Sequence, residues 1–143
     1  MSISLVMDCS VSASWFLTRE QESVYESLLA DILEGGYEMI VPDLWWYEVM
    51  NVIRGAMLRQ RIEENDARQI FVFLKGIPKR VIEIGEQGQF GILKLAMEET
   101  LSVYDAAYLY LAISNGADLV TSDTDLLGLK DKYSFIRDVS EYK

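Results

Sequence analysis

The chain has 143 residues, half of them hydrophobic, with 23 acidic and 13 basic side chains, one cysteine, no histidine and a formal net charge of −10. That length fits one domain over residues 1–143, with a sizeable core, and no apolar run approaches the ~18 residues of a membrane span. The absence of histidine excludes Ser-His-Asp, Cys-His and histidine acid–base ribonuclease chemistry, and a single cysteine leaves no basis for a zinc site or an intrachain disulfide.

In chain order, Ile3 to Met7 reads as a buried strand. Ser10 to Leu17 reads as a short helix and Gln21 to Leu33 as a second, ended by Gly35-Gly36. Tyr37 to Val41 is a second strand, and Pro42-Asp43 starts a helix running to Gln60. Glu63 to Lys75 is a further helix, bounded by Gly76 and Pro78. A short strand follows at Arg80 to Ile84, then helices at Gln89 to Thr100 and Ser102 to Ser114. Asp118 to Ser122 is a strand, Thr124 to Lys130 a short helix, and Phe135 to Val139 a last strand. Strands alternating with helices predict a three-layer α/β domain with a central, mostly parallel sheet. Ligands of such sheets bind outside the carboxyl ends of the strands.

Four acids stand out against this pattern. Asp8 closes the first strand, and Asp123 follows the strand containing Leu119, Val120 and Thr121. Glu48 lies in the apolar run Leu44-Trp45-Trp46-Tyr47-Glu48-Val49-Met50, and Asp105 opens the run Ala106-Ala107-Tyr108-Leu109. Acids in apolar surroundings are costly unless paired or bound to a cation. Brought together, these four would make an all-oxygen site for a hard divalent metal.

Each also has a structural alternative. Asp8 can cap a helix, though Ser10 could cap the same one. Ser102-Val103-Tyr104-Asp105 reads as a capping box. Asp123 or Asp125 could cap the helix at Leu126. On the third helix, Leu44, Glu48, Asn51, Val52 and Gly55 share one face by their spacing. That places two polar groups where burial is expected, unless the helix packs through Trp45, Trp46 and Val49 instead.

The joint arrangement resembles the PIN domain, particularly the VapC-type ribonuclease toxins of prokaryotic toxin–antitoxin pairs. The resemblance rests on Val6-Met7-Asp8-Cys9-Ser10, on Val41-Pro42-Asp43 through Glu48 to Asn51, on Ser102-Val103-Tyr104-Asp105-Ala106-Ala107, and on Leu119-Val120-Thr121-Ser122-Asp123. It implies a PIN-like fold and a metal-dependent endoribonuclease that leaves a 5′-phosphate and a 3′-hydroxyl. Asp8, Glu48, Asp105 and Asp123 would then be the catalytic residues and the ligands of Mg²⁺ or Mn²⁺, partly through waters. A cation there would acidify water and stabilise charge on the scissile phosphate. Ser10, Asn51 and Thr121 would orient carboxylates or waters, and Asp125 could compete for or supplement the fourth ligand role.

Partners follow from the same reading. A toxin implies an antitoxin partner and a homodimer. A PIN-like nuclease of RNA processing or decay, and a catalytically silent PIN-fold binding protein, are the alternatives. The acidic balance leaves little charge for phosphates, so Arg54, Arg59 and Arg61, which follow Glu48, are expected to hold the RNA. Trp15, Phe16, Leu17, Leu28, Leu29 and Leu33 are expected to wall an apolar groove for the antitoxin. No basic segment precedes the first apolar run, so no signal peptide is expected, and the lone thiol suits a reducing cytoplasm.

Overall fold

The computed structural model describes residues 3–17 and 23–142. Its strands are β1 (Ile3–Met7), β2 (Tyr37–Pro42), β3 (Lys79–Ile82), β4 (Asp118–Thr121) and β5 (Ile136–Asp138). They form a five-stranded sheet in the order β3-β2-β1-β4-β5, with every neighbouring pair parallel. The helices are α1 (Cys9–Leu17), α2 (Ser23–Leu33), α3 (Leu44–Leu58), α4 (Glu64–Gly76), α5 (Glu86–Glu99), α6 (Val103–Asn115) and α7 (Thr124–Leu127). They flank the sheet in the three-layer α/β arrangement that the strand–helix alternation predicts. Among the described residues no helix is long and apolar enough to cross a membrane.

A parallel sheet covered on both faces needs strands that are apolar throughout. Leu5, Val6, Met7, Met39, Ile40, Val41, Leu119 and Val120 are all fully buried. The chain runs outward from β1 to β2 and β3 on one side and to β4 and β5 on the other. The order therefore reverses between β1 and β4, which opens a crevice at their carboxyl ends. Met7 pairs with Val120, so the register brings Asp8 and Thr121 side by side just past the last rung.

Helices α1 and α3 are tied by a buried polar contact. The indole N–H of Trp45, a fully buried side chain, donates to Ser12 Oγ at 2.9 Å. This bond fixes the helix that follows Asp8 against the helix that carries Glu48. Ser12→Ala would strand the indole donor in the core, where an unsatisfied group costs ~1–3 kcal/mol. Chemical denaturation is expected to show a loss of that size with an unchanged m-value.

Several expected boundaries move. The start of the second helix at Gln21 lies outside the described residues. β3 runs over Lys79–Ile82 rather than Arg80 to Ile84, because its rungs pair Met39 with Lys79 and Pro42 with Ile82, and β2 ends there. Helix α5 begins at Glu86, three residues ahead of the expected Gln89. Gly88 thus lies inside the helix, where a Cβ would come within 2.6 Å of Ile84 Cγ2. The helix expected at Thr124 to Lys130 ends at Leu127, and the last strand stops at Asp138, where a 3₁₀ turn over Val139–Glu141 takes over.

Candidate metal centre

The acids expected to converge do so in a cleft of about 320 Å³ at the β1/β4 crevice, lined by Asp8, Cys9, Ser10, Ala13, Glu48, Asn51, Val52, Asp105, Tyr108 and Asp123. Asp8 leaves the end of β1 and Asp123 lies two residues past β4, while Glu48 projects from the second turn of α3 and Asp105 from the first turn of α6. Asp8 is only 3% exposed. It accepts from Ser10 Oγ at 2.5 Å and from Thr121 Oγ1 at 2.6 Å. Ser10 Oγ in turn accepts from the Ser122 amide, and Thr121 Oγ1 accepts from the Asp123 amide. Two hydroxyls thus clamp Asp8 and lock the loop that carries Asp123. Ser10 sits inside α1 and is not its cap; the Val11 amide bonds to the side chain of Asp8, so Asp8 serves the helix and the cleft together.

Glu48 accepts from the hydroxyl of Tyr108 at 2.6 Å. The buried face of α3 is Trp45, Val49, Ile53 and Ala56, which corrects the expectation that the row through Glu48 and Asn51 would be the buried one. Glu48 stands at the border of that face, half-buried, and Asn51 is exposed. The alternative packing through Trp45 and Val49 therefore holds while Glu48 still faces the cleft, because positions three apart on a helix differ by only ~60°.

At α6 the Asp105 amide donates to Ser102 Oγ at 3.1 Å, so Ser102 caps the helix. The reciprocal half of the expected capping box is missing, and the carboxylate of Asp105 meets that of Asp123 instead. Asp123 occupies the N-cap position of α7 but makes no side-chain cap bond. Its Oδ2 is the buried side-chain oxygen that has no hydrogen-bond partner among the described residues. Ligand oxygens of Asp105, Asp123 and Asp125 lie within 4.8 Å of one another. Asp125 is exposed and does not line the cleft, whereas Asp8 and Glu48 do.

The electrostatics are those of crowded, uncompensated charge. Among the described residues none of Asp8, Glu48, Asp105 or Asp123 pairs with a lysine or arginine. Burial pushes the Asp105 carboxyl up to about 7, helped by Asp123 and then by Asp8 and Glu48. Burial also raises Asp8, with its hydroxyl donors opposing and Asp123 reinforcing. It raises Glu48, with Tyr108 opposing and Asp8 reinforcing. The Cys9 thiol is pushed up to about 12 by burial, then by Glu48 and Asp8; it stays protonated and contributes no charge. Carboxylates that lift one another's proton affinity and leave a buried oxygen unpartnered fit a hard, oxygen-seeking cation.

The sequence profile of the PIN domain matches residues 5–132. The chain belongs to the PIN-domain family. Ribonuclease VapC3 of Pyrobaculum aerophilum is 28% identical over 128 residues, which span 87% of this chain and 92% of that protein. The crystal structure of PAE2754 from Pyrobaculum aerophilum matches the fold with a TM-score of 0.72 at 24% identity, over 99% of this chain and 94% of that one. VapBC2 from Rickettsia felis, bound to a DNA fragment from their promoter, matches with a TM-score of 0.69 at 13% identity, over 95% and 98%. A toxin–antitoxin complex from Klebsiella pneumoniae matches with a TM-score of 0.60 at 18% identity, over 87% and 92%. These likenesses place the PIN fold over nearly the whole chain.

Other expected site residues lie elsewhere. Arg54, Arg59 and Arg61 are exposed on or just past α3 and do not line the PIN cleft. Arg59 folds its guanidinium back over Gly55, within 3.3 Å of where a Cβ would stand. The apolar groove also differs from its expected wall. Leu28 is fully buried core, and the groove runs between Trp15 and Phe16 of α1 and Ile62, Ile70 and Phe73 on or beside α4, with a volume of about 430 Å³. Tyr108 is the cleft residue that the sequence reading passed over. Its signal was its position three after Asp105, on the same helical face.

Proposed function

We propose that this PIN-domain protein is a Mg²⁺- or Mn²⁺-dependent endoribonuclease and the toxin of a VapBC-type pair, acting in the cytoplasm. The observation that carries the reading is the cluster of Asp8, Glu48, Asp105 and Asp123, which among the described residues has no cationic side chain paired to it and leaves Asp123 Oδ2 buried and unpartnered. The name of its relative, a VapC ribonuclease, supports the same activity.

Asp8, Glu48, Asp105 and Asp123 would hold the cation, with Asp125 beside Asp105 and Asp123. A divalent cation held there would supply an acidified water and offset charge on the scissile phosphate. Ser10 and Thr121 each hold one oxygen of Asp8, which fixes the carboxylate beside the cleft. Tyr108 holds Glu48 in one rotamer, and Asn51 offers an amide at the mouth. Water adds to phosphorus, the bond to the 3′-oxygen breaks, and that oxygen leaves with a proton as the 3′-hydroxyl while the phosphate stays on the 5′ side.

Two of the solved neighbours are toxin–antitoxin assemblies by title, which supports an antitoxin partner for this chain. An amphipathic helix of the antitoxin would fit the groove between α1 and α4, with Asp66 and Gln69 at its edge. A second copy of the chain would find Phe90, Leu93 and Met97 exposed along one side of α5. The purified chain is expected to cut single-stranded RNA with Mn²⁺, to lose all cleavage in EDTA, and to be silenced by the small protein recovered with it from its host. A folded chain that cuts no RNA with any divalent metal, and does not slow growth when expressed alone, would contradict the proposal.

A further inference from the structure

Beside the carboxylate cleft lies a second, larger groove of about 590 Å³, lined by Leu44, Tyr47, Glu48, Asn51 and Tyr104. Glu48 and Asn51 line both spaces, so the two adjoin. Tyr47 is 72% exposed and Tyr104 is 62% exposed. Among the described residues neither ring stacks on another aromatic, lies under a cation or donates a hydrogen bond. Each stands one residue before a carboxylate of the cleft, Tyr47 before Glu48 on α3 and Tyr104 before Asp105 on α6. Consecutive helical side chains diverge by ~100°, so the acid faces inward while the tyrosine stands on the rim.

We propose that Tyr47 and Tyr104 form a stacking subsite for an unpaired nucleobase next to the cleaved phosphate. The inference rests on the endoribonuclease reading and deepens it. Its physical motive is the charge of −10, which denies the protein the usual phosphate affinity. Base stacking on aromatic side chains supplies affinity that owes nothing to net charge and is indifferent to sequence. Arg54 lies on the same ridge of α3, seven residues after Tyr47 and three after Asn51. There it can meet the phosphate that follows the stacked base.

The test uses fluorescence anisotropy with labelled hexauridylate and an abasic hexamer of the same length, in an Asp105→Asn background that prevents cleavage. Hexauridylate is expected to bind more tightly than the abasic strand. Tyr47→Ala and Tyr104→Ala should each weaken hexauridylate binding by ~5–100-fold and leave the abasic strand unchanged. Tyr47→Phe and Tyr104→Phe, which keep the ring, should stay within ~2-fold of the parent. With Asp105 intact, the tyrosine variants should show the wild-type thermal shift on adding Mn²⁺, which certifies the fold and the acidic cluster. Equal binding of the two strands by the parent would overturn the subsite, as would alanine variants that bind hexauridylate like the parent. Alanine variants that lose only the protein partner would overturn it as well and reassign the rim to that partner. If the nuclease reading itself fails, wild-type protein shows neither the Mn²⁺ shift nor cleavage; failure of the subsite alone leaves both in place.

Discussion

Asp8→Asn and Asp105→Asn are each expected to lower metal-dependent RNA cleavage by more than ~100-fold while the protein stays folded. Groups that merely orient metal ligands cost ~10–100-fold when removed, and a direct carboxylate ligand should cost more. Asp8 accepts from both Ser10 and Thr121, so an asparagine there must turn its amide nitrogen toward one hydroxyl. Each hydroxyl already accepts a backbone N–H and retains a second lone pair, so the change is tolerable for folding. Cleavage of a fluorescent single-stranded RNA with Mn²⁺, beside far-UV circular dichroism, reads both quantities. Wild-type rates from either folded variant would remove the carboxylates from the chemistry.

Removing one carboxylate should also stabilise the metal-free protein. The folded state holds the Asp105 carboxyl at about 7, against 3.8 ordinarily, through burial and through Asp123, Asp8 and Glu48. A pKa raised by folding gives stability that is present below about 4 and lost as pH rises through about 7. Metal-free wild-type protein should therefore lose stability between those limits, and Asp105→Asn should lose less. Discounted for the solvent screening of a half-buried group, the difference is ~1 kcal/mol at pH 8. That corresponds to ~3 °C in melting temperature for a chain of this size. The gap should close near pH 4, where both forms are neutral at this position. Saturating Mn²⁺ should reverse the order at pH 8, because only the intact cluster gains from the cation. Scanning calorimetry in EDTA and in Mn²⁺, at both pH values, gives all four numbers.

The fold was legible because a parallel sheet imposes a simple pattern. Its central strands carry apolar runs, and Gly35, Gly116 and the cap at Ser102 punctuate the helices as local chemistry demands. What escaped was set by partners distant in sequence. β3 is placed by its register against β2, which no local run of Lys79-Arg80-Val81 reveals. Helix α5 takes in Gly88 and Gly91, where a Cβ would collide with Ile84 and with the Tyr110 ring of α6 respectively. The four acids were visible as charges in apolar settings. The phase of α3 was not, since both Trp45 and Leu44 begin plausible faces, and core packing of Trp45, Val49, Ile53 and Ala56, with Trp45 bonded to Ser12, decides between them. Tyr108, Tyr47 and Tyr104 read as ordinary aromatic residues until two helices bring them beside Glu48. Asp125 gained weight for the same reason: its oxygen comes within 4.8 Å of Asp105 and Asp123 only once β4 and α6 are packed together.

The most direct test of a single metal centre built from these acids is a Mn²⁺ titration of wild type and Asp123→Asn at pH 7.5, followed by the electron paramagnetic resonance of free Mn²⁺. Asp123 carries the buried oxygen that no group among the described residues satisfies, so its loss should weaken a saturable wild-type site by at least ~10-fold without changing the circular dichroism. Equal Mn²⁺ affinity in the two proteins, or no saturable binding in wild type, would contradict the account.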